Sequence, residues 1–270
     1  MWRLGVGYRG QFKDWIATRP AEVECLEITA EHFFDAGEQL LQELAGNYPL
    51  YVHGLGLSLG TPGPLDRKTL EKFARVARLA DAQWISEHVA FTRTSEVDLG
   101  HLNPLPCSQQ SLDVVVDHAL ELAEICDRKL ILENITTELQ ISGNLSETEF
   151  LNRLCSEAKC GLLLDVTNLF INSKNHQFDA VQWLQEIEPQ NIVQLHVVGY
   201  SKSRDRYHDH HSNTIQADLM ELIETVVHYA PIQAVILERD QRMDEIEEIS
   251  SELQRLLESI EKHRPRNGDR

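Results

Sequence analysis

Eight short apolar runs alternate with longer helical patterns along this chain, and that alternation limits the fold more than any single motif does. The runs are residues 4–7, 25–28, 50–52, 84–86, 130–132, 162–164, 192–195 and 234–237. Between them, residues 65–81, 108–126 and 214–229 repeat apolar side chains at the 3.6-residue period of a helix. Shorter helix entries at 144–147 and 178–180 carry capping residues near their starts. Eight strand–helix alternations are what a closed (β/α)8 barrel, the TIM barrel, requires, and 270 residues suit one such barrel. A last amphipathic pattern from Ile246 to Ile260 completes the outer ring. No linker or low-complexity segment divides the chain. The expectation is therefore a single α/β domain over residues 1–263, with 264–270 as a disordered tail.

The residues that follow the apolar runs point to chemistry. Run three is followed by His53, run four by Glu87-His88, run five by Glu133-Asn134, run six by Asp165, run seven by His196 and run eight by Glu238-Arg239-Asp240. In such a barrel the carboxyl ends of the strands meet at one mouth, where active sites sit. A lone strand-end histidine is ordinarily a hydrogen-bonded structural residue. Six successive ends carrying imidazole or carboxylate would gather costly buried charge, which a shared cation relieves better than a purely structural polar network does. After His196 the chain runs through a polar insert, residues 200–207, to Asp209-His210-His211. The candidate ligands are thus His53, His88, Glu133, Asp165, His196, Asp209, His211 and Glu238. That set exceeds one tetrahedral zinc and suits two or three ions with bridging carboxylates. No cysteine belongs to it, and nitrogen with oxygen ligands leaves iron, manganese and zinc open.

Charge and cysteine usage narrow the setting. A formal net charge of −18 argues against a binder of phosphate backbones, so no nucleic-acid partner is expected. There is no signal-peptide pattern and no apolar run long enough for a bilayer, so no membrane partner is expected either. Five scattered cysteines, odd in number, fit reduced thiols in the cytoplasm.

Several residues near the mouth have more than one reading. Glu27 and Glu31 either touch substrate, support the ligands, or merely cap and face solvent. His32, His208 and His210 are expected to hydrogen-bond the ligands. Arg204, Arg206 and Arg239 stand around an acidic mouth, where one could pair a peptide carboxylate. His101 and His176 are expected to be exposed, Trp84 and Trp183 to be core residues, and the 200–207 insert to act as a lid or substrate-facing segment. The glycines at 54, 56 and 60 match neither common nucleotide fingerprint and suit close approach of backbone to substrate.

In order along the chain stand Val52-His53-Gly54-Leu55-Gly56-Leu57-Ser58-Leu59-Gly60, Ser86-Glu87-His88, Asn103-Pro104-Leu105-Pro106, Leu132-Glu133-Asn134 and Leu162-Leu163-Leu164-Asp165-Val166-Thr167-Asn168. Gln194-Leu195-His196, Asp209-His210-His211 and Ile236-Leu237-Glu238-Arg239-Asp240 complete the series. With these motifs the chain resembles the multinuclear non-haem iron-dependent oxidative enzymes, which include the methanobactin-forming oxidase. The resemblance implies a xylose-isomerase-like barrel holding two or three irons, mixed-valent Fe(II)/Fe(III), that activate dioxygen. It implies oxidative modification of cysteine in a ribosomally synthesised precursor peptide, and a separate or fused partner protein that recognises the leader. Position by position, it implies the eight candidate residues as iron ligands, Asp240 as a catalytic acid or base, and Asn168 as a polar neighbour of the metals. Glu31-His32, Arg239 and Tyr200 depart from the family's usual Glu-Asn, Trp and His, which bears on substrate and product. Two rival readings are a divalent-metal barrel acting on a small molecule as isomerase or hydrolase, and a non-catalytic metal-binding partner protein.

Overall fold

Every apolar run becomes a parallel strand: β1 (Arg3–Gly7), β2 (Cys25–Thr29), β3 (Leu50–His53), β4 (Ile85–His88), β5 (Leu130–Glu133), β6 (Gly161–Asp165), β7 (Ile192–Val197) and β8 (Ala234–Leu237). The computed structural model describes residues 2–261 apart from 95 and 142. Each strand pairs with its sequence neighbours, and β8 closes the barrel on β1 with Arg3 opposite Ala234 and Val6 opposite Leu237. Closure is tight at Gly5, where a β-carbon would lie 2.2 Å from the Cys25 carbonyl oxygen.

The helices start where local capping chemistry allows. Asp66 accepts the Thr69 amide to open Arg67–Leu79, and Ser108 accepts that of Ser111 to open Gln109–Cys126. Ser146 and Asp179 cap the helices Glu147–Ala158 and Ala180–Glu186 in the same way. The helix expected from residue 214 begins at Ala217, because residues 214–216 form an irregular connection from the hairpin and Gln216 is extended. Ile249, Leu253, Leu256 and Ile260 bury the apolar face of the last helix, Ile246–Glu261.

Inside the barrel the two-residue period of the strands stacks two layers. Cys25, Tyr51, Trp84, Ile131, Leu163, Val193, Ala234 and Ile236 form an apolar plug separate from the main core between strands and helices. Two residues further along the same strands, on the same face, stand Glu27, His53, Glu133, Asp165 and Glu238, all buried. A bulge between Leu162 and Leu163 shifts the β6–β7 register, so Val193 joins the plug while His196 joins the polar layer. The plug is a dry floor beneath the polar layer.

Two antiparallel hairpins rise beyond the strand ends: Phe91–Arg93 with Asp98–Asn103 after β4, and Gly199–Ser203 with Arg206–Asn213 after β7. The second contains the insert expected as a lid or substrate-facing segment. It is packed on the helix Val166–His176, where Tyr200 stacks on Phe170 at 5.0 Å and Asn175 bonds the Tyr207 backbone from both ends of its amide. Trp84 and Trp183 are buried as expected. His176, expected to be exposed, is half-buried at its helix end against Thr137. All five cysteines are unpaired. No described helix is long and apolar enough to cross a membrane. The tail expected at 264–270 lies outside the described residues.

Candidate metal centre

At the carboxyl end of the barrel, side chains from six strand ends and one hairpin converge. Nε2 of His53 and Nε2 of His88 approach Glu133 Oε2 at 3.5 and 3.3 Å. Glu133 Oε1 lies 3.2 Å from His196 Nδ1, which lies 3.1 Å from Glu238 Oε2. That oxygen is 3.8 Å from His211 Nδ1, and Asp240 Oδ2 is 3.0 Å from the same nitrogen. The donors fall into three groups: His53, His88 and Glu133; then Glu133, Asp165, His196 and Glu238; then His211, Glu238 and Asp240. Within each group the ligand atoms lie within 4.8 Å of one another. Glu133 and Glu238 each serve two groups, the position a bridging carboxylate takes between neighbouring ions.

Supporting hydrogen bonds set which imidazole nitrogen faces inward. His53 turns Nδ1 to Ser86 Oγ at 2.8 Å, leaving Nε2 free for a cation. His196 is reversed: its Nε2 is 2.6 Å from Glu27 Oε1, so Nδ1 is the atom that faces the other carboxylates. Glu27 is fixed in turn by Gln194 Nε2, and Gln194 Oε1 accepts from Trp84 Nε1 at 2.7 Å. His211 adopts a left-handed backbone, φ 49°, within the hairpin. That turn gives its carbonyl to the amides of Asp240 and Gln241 and sets its ring between Asp209 and Asp240. Gly54 lets the loop after β3 pass Glu87, since a β-carbon there would lie 2.7 Å from Glu87 Oε2.

The charges are one-sided. Glu27, Glu133, Asp165, Asp209, Glu238 and Asp240 face one permanent cation among the described cavity residues, Arg9, which reaches Glu238 at 3.3 Å and Asp240 at 2.6 Å. Burial opposes charge on His196, His211 and His88, yet the surrounding carboxylates outweigh it and raise all three, His211 to about 12 and His88 to about 9. Burial would likewise raise Glu133 and Glu238, but the histidines hold both below the usual carboxylate range. Asp165 is driven well above that range by burial and then by Asp209 and Glu133. A bound cation would favour the ionised form of Asp165 and the neutral, ligating form of the three imidazoles, and would take over from the histidines as the positive partner of Glu133 and Glu238. The donor atoms also fit an ion better than they fit each other. Glu133 Oε2, Asp209 Oδ1 and Asn168 Oδ1 are buried without a hydrogen-bond partner.

Seven of the eight candidate ligands line a cavity of about 360 Å³, with Asn168 and Asp240, while His196 lies beneath it, fully buried. Asp209 stands outside the three donor groups, its Oδ2 taken by His211 Nε2 at 2.9 Å. Asp240 stands inside one of them. Glu31 anchors the loop after β3 by accepting the amides of Leu55 and Gly56. Two expectations need correction. Arg239 is buried and turned away from the mouth, paired with Glu252 at 2.7 Å and Glu248 at 3.1 Å, because its strand parity is opposite to that of Glu238 and Asp240. His210 is exposed on the far face of its hairpin, bonded to Ser201 and stacked on His208, because Asp209 and His211 take the facing parity. His32 does line the cavity. Arg9 went unread in the sequence, and Gln194 and Ser86, though present in the quoted motifs, were given no role there. Arg9 could have been found as the basic residue two positions beyond β1, facing an acidic mouth.

Comparison with known proteins identifies the family and the fold. The family model described as RiPP precursor modification enzyme MbnB/TglH/ChrH matches residues 3–261. A UPF0276 protein of Rhizorhabdus wittichii is 30% identical over 258 residues, covering 93% of this chain and 92% of the relative. A UPF0276 protein of Acaryochloris marina is 29% identical over 267 residues, covering 97% and 96%. Among solved structures, D-psicose 3-epimerase with D-fructose superposes with a TM-score of 0.64 at 12% identity, covering 95% of this chain and 97% of that one. Endonuclease IV from Thermus thermophilus gives 0.63 at 14% identity, covering 95% and 99%. At such identities these two share the fold alone.

Proposed function

The chain belongs to the RiPP precursor modification enzymes of the MbnB/TglH/ChrH family, and on that premise we propose that it oxidatively modifies a cysteine of a ribosomally synthesised precursor peptide, using two or three irons and O2. The observation that carries this reading is the chain of three donor groups joined by Glu133 and Glu238. An array with two shared carboxylates suits several ions held close together, where a single-ion site has no use for it. When bound, mixed-valent iron would supply the redox equivalents and a seat for a thiolate and O2.

The protein's own part follows from the geometry. His53, His88 and Glu133 hold one end of the array, Asp165 and His196 the middle, and Glu238 and His211 the outer end, beside Asp209. Glu27 keeps the proton of His196 on Nε2 and so keeps Nδ1 open. Burial pushes Asp240 up, but the His211 hydrogen bond and the Arg9 charge prevail and hold it below the usual range. Its side chain remains 42% exposed, so it is an ionised carboxylate at the mouth, placed to take the proton of an arriving thiol. Leu55, Leu102 and Ile135 give the cavity an apolar wall that restricts water. The family resemblance adds a leader-recognising partner protein, and the five unpaired thiols suit a cytoplasmic reaction.

Co-expression with the small open reading frame beside the gene, followed by mass spectrometry, tests the reading. A mass change confined to a cysteine and dependent on iron and O2 is expected. Metal binding without peptide-dependent O2 consumption would leave the non-catalytic partner as the correct account.

A further inference from the structure

A second cavity, about 250 Å³, opens beside the metal cavity and shares Ile135 with it. Most of its polar side chains are already engaged. Asn172 donates to the Ile135 carbonyl and accepts the Thr137 amide, His176 bonds Thr137, and Glu147 accepts from Trp183. The larger part of the wall left for an occupant is apolar: Leu105, Ile135, Leu139, Ile141, Phe150 and Phe178. The volume falls below the ~300 Å³ at which pockets for whole small molecules begin, and suits a side chain.

Two residues of its lining, Leu139 and Ile141, are exposed apolar side chains. Among the described residues, Leu55, Val97, Leu99, Leu120, Leu139, Ile141 and Val181 are the exposed large hydrophobics. Five of these seven lie on the connections after β3, β4 and β5, one sector of the mouth, and Leu139 is 70% exposed. Exposed apolar residues gathered beside a cavity mark a binding surface.

The geometry points to a subsite for an apolar side chain of the precursor peptide, one to three positions from the residue held at the metals. This rests on the peptide-substrate reading above. The shared wall at Ile135 makes the two cavities neighbours on the scale of an extended peptide, in which every second side chain returns to the same face after about 7 Å. The subsite therefore selects Leu, Ile, Phe or Met at one fixed offset and contributes to recognition of the core peptide itself.

Anaerobic, iron-loaded protein incubated with a synthetic peptide library tests this. Half the library carries a central cysteine and half a serine in its place, with three random positions on each side, and bound peptides are sequenced. The expected result is about tenfold selection of an apolar residue at one offset. Leu139→Glu/Ile141→Glu, both on the exposed rim, and Cys107→Phe, which fills the cavity, should erase that selection without changing metal content. Equal retention of the cysteine and serine halves with apolar selection intact would support the subsite while removing the cysteine reading. Preference for the cysteine half with no apolar selection, or with selection untouched by the variants, overturns the subsite alone. If the rim variants instead dissociate a dimer while selection persists, the surface receives a second copy of this chain and the proposal fails.

Discussion

His196 is the residue on which the site's geometry turns. Its ring is fully buried, and the hydrogen-bond chain Trp84–Gln194–Glu27 fixes which nitrogen faces the other donors. Glu27→Gln keeps the shape but removes the charge that holds the Nε2 proton. Metal affinity should fall about 10–100-fold in chelator competition, and unchanged affinity would reject this role for Glu27. The titratable groups also set a pH profile for the metal-free protein. His88 has its folded pKa raised to about 9, from an ordinary 6.5. Its stabilising contribution is therefore complete below 6.5 and lost as pH rises through 9, on the order of 3 kcal/mol. Asp165, also raised, works in the same direction from lower pH, while Glu133 and Glu238, held low, lose their contribution as pH falls below the usual carboxylate value. Melting temperature of the metal-free protein should thus decline between pH 6.5 and 9. His88→Gln should flatten the decline, and saturating divalent cation should reverse it by binding the folded state.

At the scale of elements, the helix Val166–His176 ties the mouth together. Asn168 and Asn172, four residues apart on one face, donate to the backbone carbonyls of Asn134 and Ile135 in the loop after β5, while Asn175 holds the hairpin that carries Asp209 and His211. The hairpin is accordingly a fixed arm. Asn175→Ala removes both of its bonds to Tyr207, at a cost of ~1–3 kcal/mol. The outer end of the array should lose its ion first, so metal counting should show about one equivalent fewer while His53, His88 and Glu133 keep theirs. Loss of all metal together would mean the array has no separable end. The end of β8 supplies a contrasting case. Arg239→Met strands Glu252, which is 3% exposed, and should destabilise the fold by about 3–5 kcal/mol in thermal or denaturant unfolding, with peptide affinity unchanged. Weakened peptide binding at full stability would return Arg239 to the mouth, where the sequence had suggested it.

For the molecule as a whole, the barrel was legible because eight apolar runs can bury themselves in few other ways, and the strand-end residues were legible because every barrel strand ends at one mouth. Parity was harder to read. Glu238 and Asp240 face the cavity while Arg239 between them does not, and only the β6–β7 bulge explains how Val193 and His196 both point inward. Arg9 and Gln194 stayed hidden because their partners lie about two hundred residues away in the chain, at Asp240 and Glu27. The hairpins were hidden because polar strands carry no apolar alternation, as the stretch Arg206–Asn213 illustrates. The central claim is that three donor groups joined by Glu133 and Glu238 form one multinuclear iron centre. Metal analysis of protein purified after iron supplementation, with iron and zinc counted per chain, tests it most directly. Two or three irons per chain, falling below two in Glu238→Ala, is the predicted result; one ion or fewer, or zinc retained in place of iron, would contradict it.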